Sequence, residues 1–339
     1  MTSKIRWGIL GTGNIARQFS VGVNASRRGV LAAVGSRQKS SADAFAKAMQ
    51  IPSALGSYEE LLRDPGVDVI YNSLPNSMHH EWTIRALQAG KHVLCEKPIA
   101  LNASQAEEMF DVAEKTGRVL VEAFMYRSHP LTLAVIDAVK AGVIGELRLI
   151  RSSFCYRTRK IDGNVRFVPS LGGGSLMDIG CYCINFARLF ANAEPTAIHA
   201  AGTIHATGVD DLAAGAMLFP GNIVSSFTCG MSAHADNTAY LCGTDGYIEI
   251  PIPWKPPGRQ GRFVITRGIT PKMDDANAAA AVPPREVRFV EPGMDLYGIE
   301  ADDFATTIQE NKPPRISREG SVGNMRVLDE MRRQVGVVF

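Results

Sequence analysis

The stretch HVLCEKPIA, residues 92–100, reads as a buried strand that closes on Glu96, Lys97 and Pro98, where a turn would usually bring Gly, Asn or Ser. A proline after Lys97 limits that lysine's backbone to an extended geometry or a cis bend. Ligands of open α/β sheets lie beyond the carboxyl ends of the strands, so Lys97 is expected to point into a cofactor crevice. An ammonium there would stabilise an alkoxide-like oxygen as hydride leaves carbon and would help relay its proton. The plainer alternative is a lysine that caps a helix or pairs with Glu96.

A second pattern, GTGNIA at 11–16, fits the dinucleotide fingerprint. Gly11 lets the strand turn, Gly13 lets backbone approach a pyrophosphate, and Ala16 permits close helix packing. The helix opened by Asn14 and Ile15 directs its N-terminus at the phosphates. The next strand ends GSR, with Gly35 where NAD-preferring proteins usually carry an acid; Ser36, Arg37 and the nearby Lys39 suit a 2′-phosphate. NADP(H) is therefore expected, with NAD as the lesser possibility and a solvated Arg37 as the plain alternative. The missing acid also counts against an S-adenosylmethionine methyltransferase.

Asp178 and Tyr182 lie four apart in SLMDIGCYCINFARLF, whose periodicity predicts a helix carrying both on one face, with Gly180 between them to admit a close neighbour. A phenol can pass a proton to or from a substrate hydroxyl, and a carboxylate can hold a neighbouring one. A partly buried helix with a cap-like Asp and a packing Tyr is the alternative. In LPNSMHHEW, Pro75 and Asn76 end a strand and His79 follows a turn later, where helix capping is the competing role. His129, His199, His205 and His234 have no partner at metal spacing, and no metal is expected. Phe154, Tyr156 and Trp254 offer flat faces for a ring-shaped substrate or ordinary strand packing; Arg127, Arg157, Arg159 and Arg166 stay unassigned between a phosphorylated or nucleotide-linked substrate and solvent.

These residues need a frame. Strands are expected at 5–10, 30–37, 67–75 and 91–97, with RVLVEAF following, and helices lie between them: from Asn14, over SSADAFAKAM with Ala44, Phe45 and Ala48 inward behind a Ser cap, over EWTIRALQAG stopping at Gly90, and over SQAEEMFDVAEKTG. Repeated alternation with apolar strands predicts a parallel sheet covered on both faces. From about Glu146 the stretches ELRLIRSSFCYRT, TAIHAAGTIHA, LAAGAMLF and IVSSFTCG read as an antiparallel sheet, the last two joined by the turn Pro220-Gly221-Asn222. IPWKPPGRQG and the Ala-rich DDANAAAAVPP read as surface excursions; DLYGIEADDFATTIQEN and SREGSVGNMRVLDEMRRQVG read as closing helices.

With 339 residues, 45% hydrophobic and 21% charged, the chain has the make-up of an ordinary globular protein of two domains or one large one. A formal charge of +2 without a run of five like charges implies neither nucleic acid nor anionic membrane. Six cysteines without a C-x-x-C pair argue against zinc and disulfides, and MTSKIRWGIL passes straight into a strand, so a cytoplasmic setting is expected.

Together, GTGNIA, EKP at 96–98 and GGGSLMDIGCY at 172–182 resemble the Gfo/Idh/MocA oxidoreductases along nearly the whole chain. The resemblance implies an α/β protein: an N-terminal doubly wound Rossmann sheet, residues 1–125, binding the nucleotide, then an α/β domain, residues 126–339, with a large, mostly antiparallel open sheet for substrate and assembly. It implies that Tyr182 acts as acid/base beside Lys97, that Asp178 orients the substrate, that Glu96 is an acidic partner beneath the cofactor, and that Pro75 and Asn76 line the nicotinamide ribose. Tyr182, EAFMYRSHP and GGGSLMDIGCY look most like the glucose-fructose oxidoreductase, D-xylose dehydrogenase and dimeric dihydrodiol dehydrogenase group, which implies a sugar, polyol or cyclic diol. A non-catalytic nucleotide-sensing regulator and an NAD-dependent glycosidase of the same family are the alternatives. An exposed sheet face predicts a homodimer or homotetramer.

Overall fold

The computed structural model describes residues 3–268 and 284–337. The Ala-rich stretch 274–283 lies outside the described residues. Six strands, β1 (Ile5–Leu10), β2 (Gly29–Gly35), β3 (Ser53–Leu55), β4 (Val69–Asn72), β5 (His92–Glu96) and β6 (Leu120–Ala123), form one parallel sheet in the order β3-β2-β1-β4-β5-β6. Helices α1 (Asn14–Ala25), α2 (Lys39–Met49), α3 (Tyr58–Arg63), α4 (His79–Gln88) and α5 (Ala103–Thr116) provide the crossovers. The strands are buried because helices cover both faces, and β4 has no residue that is not buried. Strand order reverses between β1 and β4, and a crevice opens at their carboxyl ends.

Two local expectations change. Helix α2 starts one turn position earlier than a Ser cap allows, at Lys39 after Gln38, and no side chain caps it. Its inward residues are Ala42, Phe45 and Ala46, while Ala44 and Ala48 face solvent. Small alanines fit either face, so the run of them left the register to Phe45 alone. Strand β3 and helix α3 are too short for periodicity to reveal.

Helix α6 (Pro130–Lys140) leads into β7 (Leu147–Cys155), and α7 (Cys181–Ala191) into β8 (Ala197–Ile204), β9 (Asp210–Phe219), β10 (Ile223–Gly230), β11 (Ala239–Gly243), β12 (Gly246–Ile250), β13 (Gly261–Arg267) and β14 (Arg285–Val290). Their order is β14-β13-β12-β11-β7-β10-β9-β8. All neighbours are antiparallel except β7 and β10, whose parallel pairing makes the sheet mixed. In the turn between β9 and β10, Gly221 and Asn222 both take positive φ, as the sequence signal requires.

This sheet has two unlike faces. On β9, Ala213, Met217 and Phe219 are buried, while Ala214, Ala216 and Leu218 are exposed. Helix α7 packs on the inner face, and α9 (Arg318–Val335) covers it. Helix α8 (Leu296–Glu310) instead returns to the first sheet: Phe304 lies 5.5 Å from Trp7, and a Cβ on Gly22 of α1 would come within 2.5 Å of Tyr297. The chain's late segment thereby closes one end of the crevice.

Candidate active site

The crevice between the two sheets encloses about 1270 Å³, above the range of about 300–1,000 Å³ that holds one small ligand. One end is built from backbone. After β1 the chain turns at Gly11 with φ +101°. Helix α1 then starts with no side-chain cap and no acid in its first turn, leaving its amide donors for an anion. A Cβ on Gly13 would meet no atom within 4 Å, so the space in front of that N-terminus is open. These features fit the pyrophosphate of a dinucleotide. Asn14 and Ile15 line the crevice beside them, and Ala16 is fully buried against the sheet.

Ser36 and Arg37 follow β2 at the same end. Ser36 is buried, Arg37 is exposed, and the Arg37 guanidinium lies beside the Tyr58 hydroxyl. Pro75 and Asn76 follow β4, and Asn76 Nδ2 donates to the Gly172 carbonyl at 2.8 Å, tying the two walls together. His79 is fully buried, with Nδ1 2.9 Å from the Pro98 carbonyl and Nε2 2.7 Å from the Leu74 carbonyl. Two carbonyls favour an imidazolium, yet burial lowers the pKa to about 4. Burial outweighs them because the ring has no carboxylate partner, so the neutral ring donates to one carbonyl and braces the turn after Lys97.

The other end is built from side chains. Lys97 leaves β5, and the Lys97–Pro98 bond is cis. Its ammonium donates to the Asp178 carbonyl at 2.5 Å and to Asp178 Oδ1 at 3.2 Å. It does not pair with Glu96, whose carboxylate accepts from the Tyr71 hydroxyl and from the Lys97 backbone amide. Asp178 Oδ2 accepts from Arg166 Nε at 2.8 Å and from the Tyr156 hydroxyl. Burial pushes the Asp178 carboxyl up, but Lys97 and Arg166 together hold it well below the usual carboxylate range. Burial likewise works against the Lys97 ammonium, and Asp178 foremost outweighs it, leaving the lysine above its ordinary value.

The segment carrying Asp178 is not the regular helix that the spacing predicts. Leu176–Gly180 form a π-turn that runs into α7, and the Cys181 amide reaches back five residues to the Leu176 carbonyl. Such widened turns are frequent at functional sites. Ahead of it, Gly174 has φ +119°, and a Cβ there would lie 2.2 Å from Asp210 Oδ1, so only glycine lets the chain enter. Asp210 Oδ2 then accepts from the Ser175 hydroxyl and the Leu176 amide, both at 2.7 Å. Tyr182 stays on the crevice wall: its ring lies 5.1 Å from the Lys97 ammonium, and its hydroxyl contacts Met125 Sδ at 3.3 Å. Burial drives its phenol well above the ordinary pKa, with Glu96 next.

Lys97 after β5, and Asp178 and Tyr182 on the π-turn and α7 eighty-odd residues later, thus line one cavity with Gly11, Gly13, Asn14, Ile15, Ser36, Arg37, Pro75, Asn76, His79 and Glu96. Lys39, expected beside Arg37, is not on that wall and pairs with Asp43 on its own helix instead. Tyr156, Arg166, Met125, Gln18, Tyr297 and Lys255 also line the cavity, and no motif or spacing marks the last four. The stretch IPWKPPGRQG is not a mere surface excursion: Trp254 is 3% exposed, donates to the Ser153 carbonyl at 2.8 Å and stacks on Phe154. A tryptophan amid prolines was the signal of an anchor. Arg127 is tied to Asn185 Oδ1 and the Arg315 carbonyl, away from the crevice, and Arg157 and Arg159 face solvent. All six cysteines are unpaired. Among the described residues no His, Cys, Asp and Glu cluster is placed to hold a metal ion, and no helix is long and apolar enough to cross a membrane.

Residues 5–124 match the GFO_IDH_MocA family, an oxidoreductase family with an NAD-binding Rossmann fold, and residues 132–249 match the GFO/IDH/MocA C-terminal domain. A trans-1,2-dihydrobenzene-1,2-diol dehydrogenase of Mus musculus is 33% identical over 99% of this chain and 98% of its own. A D-xylose 1-dehydrogenase (NADP(+)) of Haloferax volcanii is 33% identical over 95% of each chain. The crystal structure of a 3-ketoreductase from Actinomadura kijaniata, in complex with NADP and TDP-benzene, superimposes with a TM-score of 0.85 at 30% identity, covering 98% of both chains.

Proposed function

The chain belongs to the Gfo/Idh/MocA oxidoreductases, an NAD(P)-binding family, and from that premise we propose that it is an NADP(H)-dependent dehydrogenase or reductase of a sugar, polyol or cyclic diol. One observation carries the reading: Lys97 at the end of β5 and Asp178 and Tyr182 on the π-turn and α7 that pack on the second sheet face the cavity whose far end is the uncapped start of α1. Residues 1–125 hold the cofactor, and residues 126–339 supply the substrate wall and the assembly surface.

When bound, the cofactor exchanges a hydride with the carbon that bears the reacting oxygen. Gly11, Gly13, Asn14 and Ile15 receive its pyrophosphate on backbone amides. Ser36 and Arg37 receive the 2′-phosphate, since no acid at this strand end repels it. Pro75, Asn76, His79 and Glu96 shape the nicotinamide ribose end. At the substrate, Lys97 stabilises negative charge on oxygen while Asp178 accepts a neighbouring hydroxyl. Tyr182, with its pKa raised, is a proton donor to that oxygen in the reducing direction. The relatives named for a diol and for D-xylose support the substrate class.

Exposed Leu218, Val224, Ala214 and Ala216 on the outer face of the second sheet favour a homodimer or homotetramer, in a cytoplasmic setting that keeps six thiols reduced. Sedimentation at micromolar protein tests the assembly, and a single-chain mass would refute it. For the reaction, a panel of aldoses and cyclic diols is offered with NADP+ while absorbance of the reduced nicotinamide is followed. Net reduction is expected. Sugar release from glycosides without it would mean a glycosidase, and cofactor binding without either would mean a nucleotide-sensing regulator.

A further inference from the structure

Lys255 stands apart from the other charged groups of the crevice. It sits between β12 and β13, on backbone fixed by Pro253 and Pro256 and by the buried Trp254, whose ring stacks on Phe154 at 5.6 Å. So held, Lys255 lines the cavity and brings its ammonium 3.5 Å from Gln18 Oε1 on α1, the cofactor wall. Tyr297 donates to the same amide oxygen at 3.4 Å. Among the described residues no carboxylate forms an ion pair with Lys255, whereas Lys97 and Arg166 share Asp178.

Lys255 also lies within electrostatic reach of Lys97, Arg166, Asp178 and Glu96, so among the described residues of this part of the crevice three cations face two acids. Glu96 is already engaged by Tyr71, and burial raises its pKa. Lys255 feels this crowding: burial first and Lys97 second lower its own pKa. The surplus is positive. A nicotinamide carries a positive charge when oxidised and none when reduced, while the phosphates of the two forms are the same. A cation fixed beside the ring thus separates the redox forms and leaves recognition of the rest unchanged.

Resting on the NADP(H) reading above, we propose that Lys255 is a charge-selecting residue of the cofactor site, disfavouring NADP+ against NADPH and biasing the protein toward carbonyl reduction. The test compares dissociation constants of NADPH and NADP+, followed by protein fluorescence at one ionic strength, in the wild type, Lys255→Met and Lys255→Glu. The ratio of Kd for NADP+ to Kd for NADPH is expected to fall on the order of tenfold in Lys255→Met, and further in Lys255→Glu, as the loss and reversal of one nearby unit charge require. Circular dichroism and melting temperature, unchanged because Lys255 lies open to the crevice, guard against misfolding. A ratio that stays fixed in both variants overturns the proposal, as does parallel weakening of both forms, which would put the ammonium on the phosphates. Failure of the wild type to bind either form would instead bring down the cofactor reading beneath it.

Discussion

The two walls of the crevice are made of different material. The wall on the first sheet offers mostly backbone: Gly11, Gly13 and the open amides of α1, with few charges near them. The wall on the second sheet offers side chains, with Asp178 at the centre of a network of Lys97, Arg166 and Tyr156. Backbone donors keep their chemistry under almost any substitution that leaves the turn intact. A network of charges does not. The first wall suits a ligand whose phosphates never vary, and the second suits a substrate and a reaction that single residues tune.

That contrast breaks most visibly at Tyr182 and Asp178. Tyr182→Phe removes one hydroxyl and is expected to cut turnover about 10²–10⁴-fold, with NADP(H) affinity within about twofold. A fully active variant would take the phenol out of the mechanism. Asp178→Ala should lose turnover to a similar degree and also stability, by roughly 3 kcal/mol, because Lys97 would be left partly buried beside Arg166 without a counter-charge. Chemical denaturation separates that second loss from the first.

Gly13→Val asks the opposite of the backbone wall. Its φ of −74° suits any residue and the new Cβ meets nothing within 4 Å, so folding should be unaffected. The side chain would occupy the phosphate space, and cofactor affinity should fall by about a hundredfold, with turnover at saturation little changed. Equal affinity would show that the pyrophosphate does not approach α1.

The same difference in material explains what the sequence revealed. A backbone wall needs a fixed local order of strand, glycine turn and helix, so GTGNIA and the parallel sheet were legible from spacing and alternation, whereas the strand order that reverses between β1 and β4 was not. The side-chain wall is assembled from β5, the segment after β7, the π-turn and the loop before β13, which no local period connects. Asp178 and Tyr182 were found because they share one segment. Tyr156 and Arg166 were seen as residue types, but their convergence on Asp178 was invisible, and the Lys255 contact depends on Trp254 folding inward from what reads as a polar loop. The parallel pairing of β7 with β10 was hidden for a related reason: hydrophobic alternation gives the face of a strand, not the direction of its neighbour.

Arg37 is the exception on the backbone wall, a side chain reaching for a phosphate. Arg37→Ala is expected to weaken NADP+ about tenfold while NAD+ changes little, since one charge-assisted contact is lost only where the 2′-phosphate is present. Equal losses for both cofactors would mean that the guanidinium serves Tyr58 rather than the ligand.

Glu122, behind the turn that delivers Lys97, gives the smallest effect and tests whether charge or shape holds that turn. Its Oε1 accepts the Ile99 amide at 2.9 Å and the Ser321 hydroxyl lies beside the carboxyl, yet burial outweighs both and pushes it up to about 7. In the unfolded chain the same group titrates near the ordinary glutamate value of about 4.3. Between those values the folded chain keeps a proton that the unfolded chain has released, so this group costs stability progressively as pH rises through that window, and fully above it. Glu122→Gln keeps an acceptor for Ile99 and removes the titration. It should raise stability by about 1–3 kcal/mol at pH 8 and by almost nothing at pH 4. Turnover should stay within about twofold, because the hydrogen bond that shapes the turn survives; a large fall would mean that the Glu122 charge itself reaches Lys97, and that the backbone wall is less neutral than its glycines make it look.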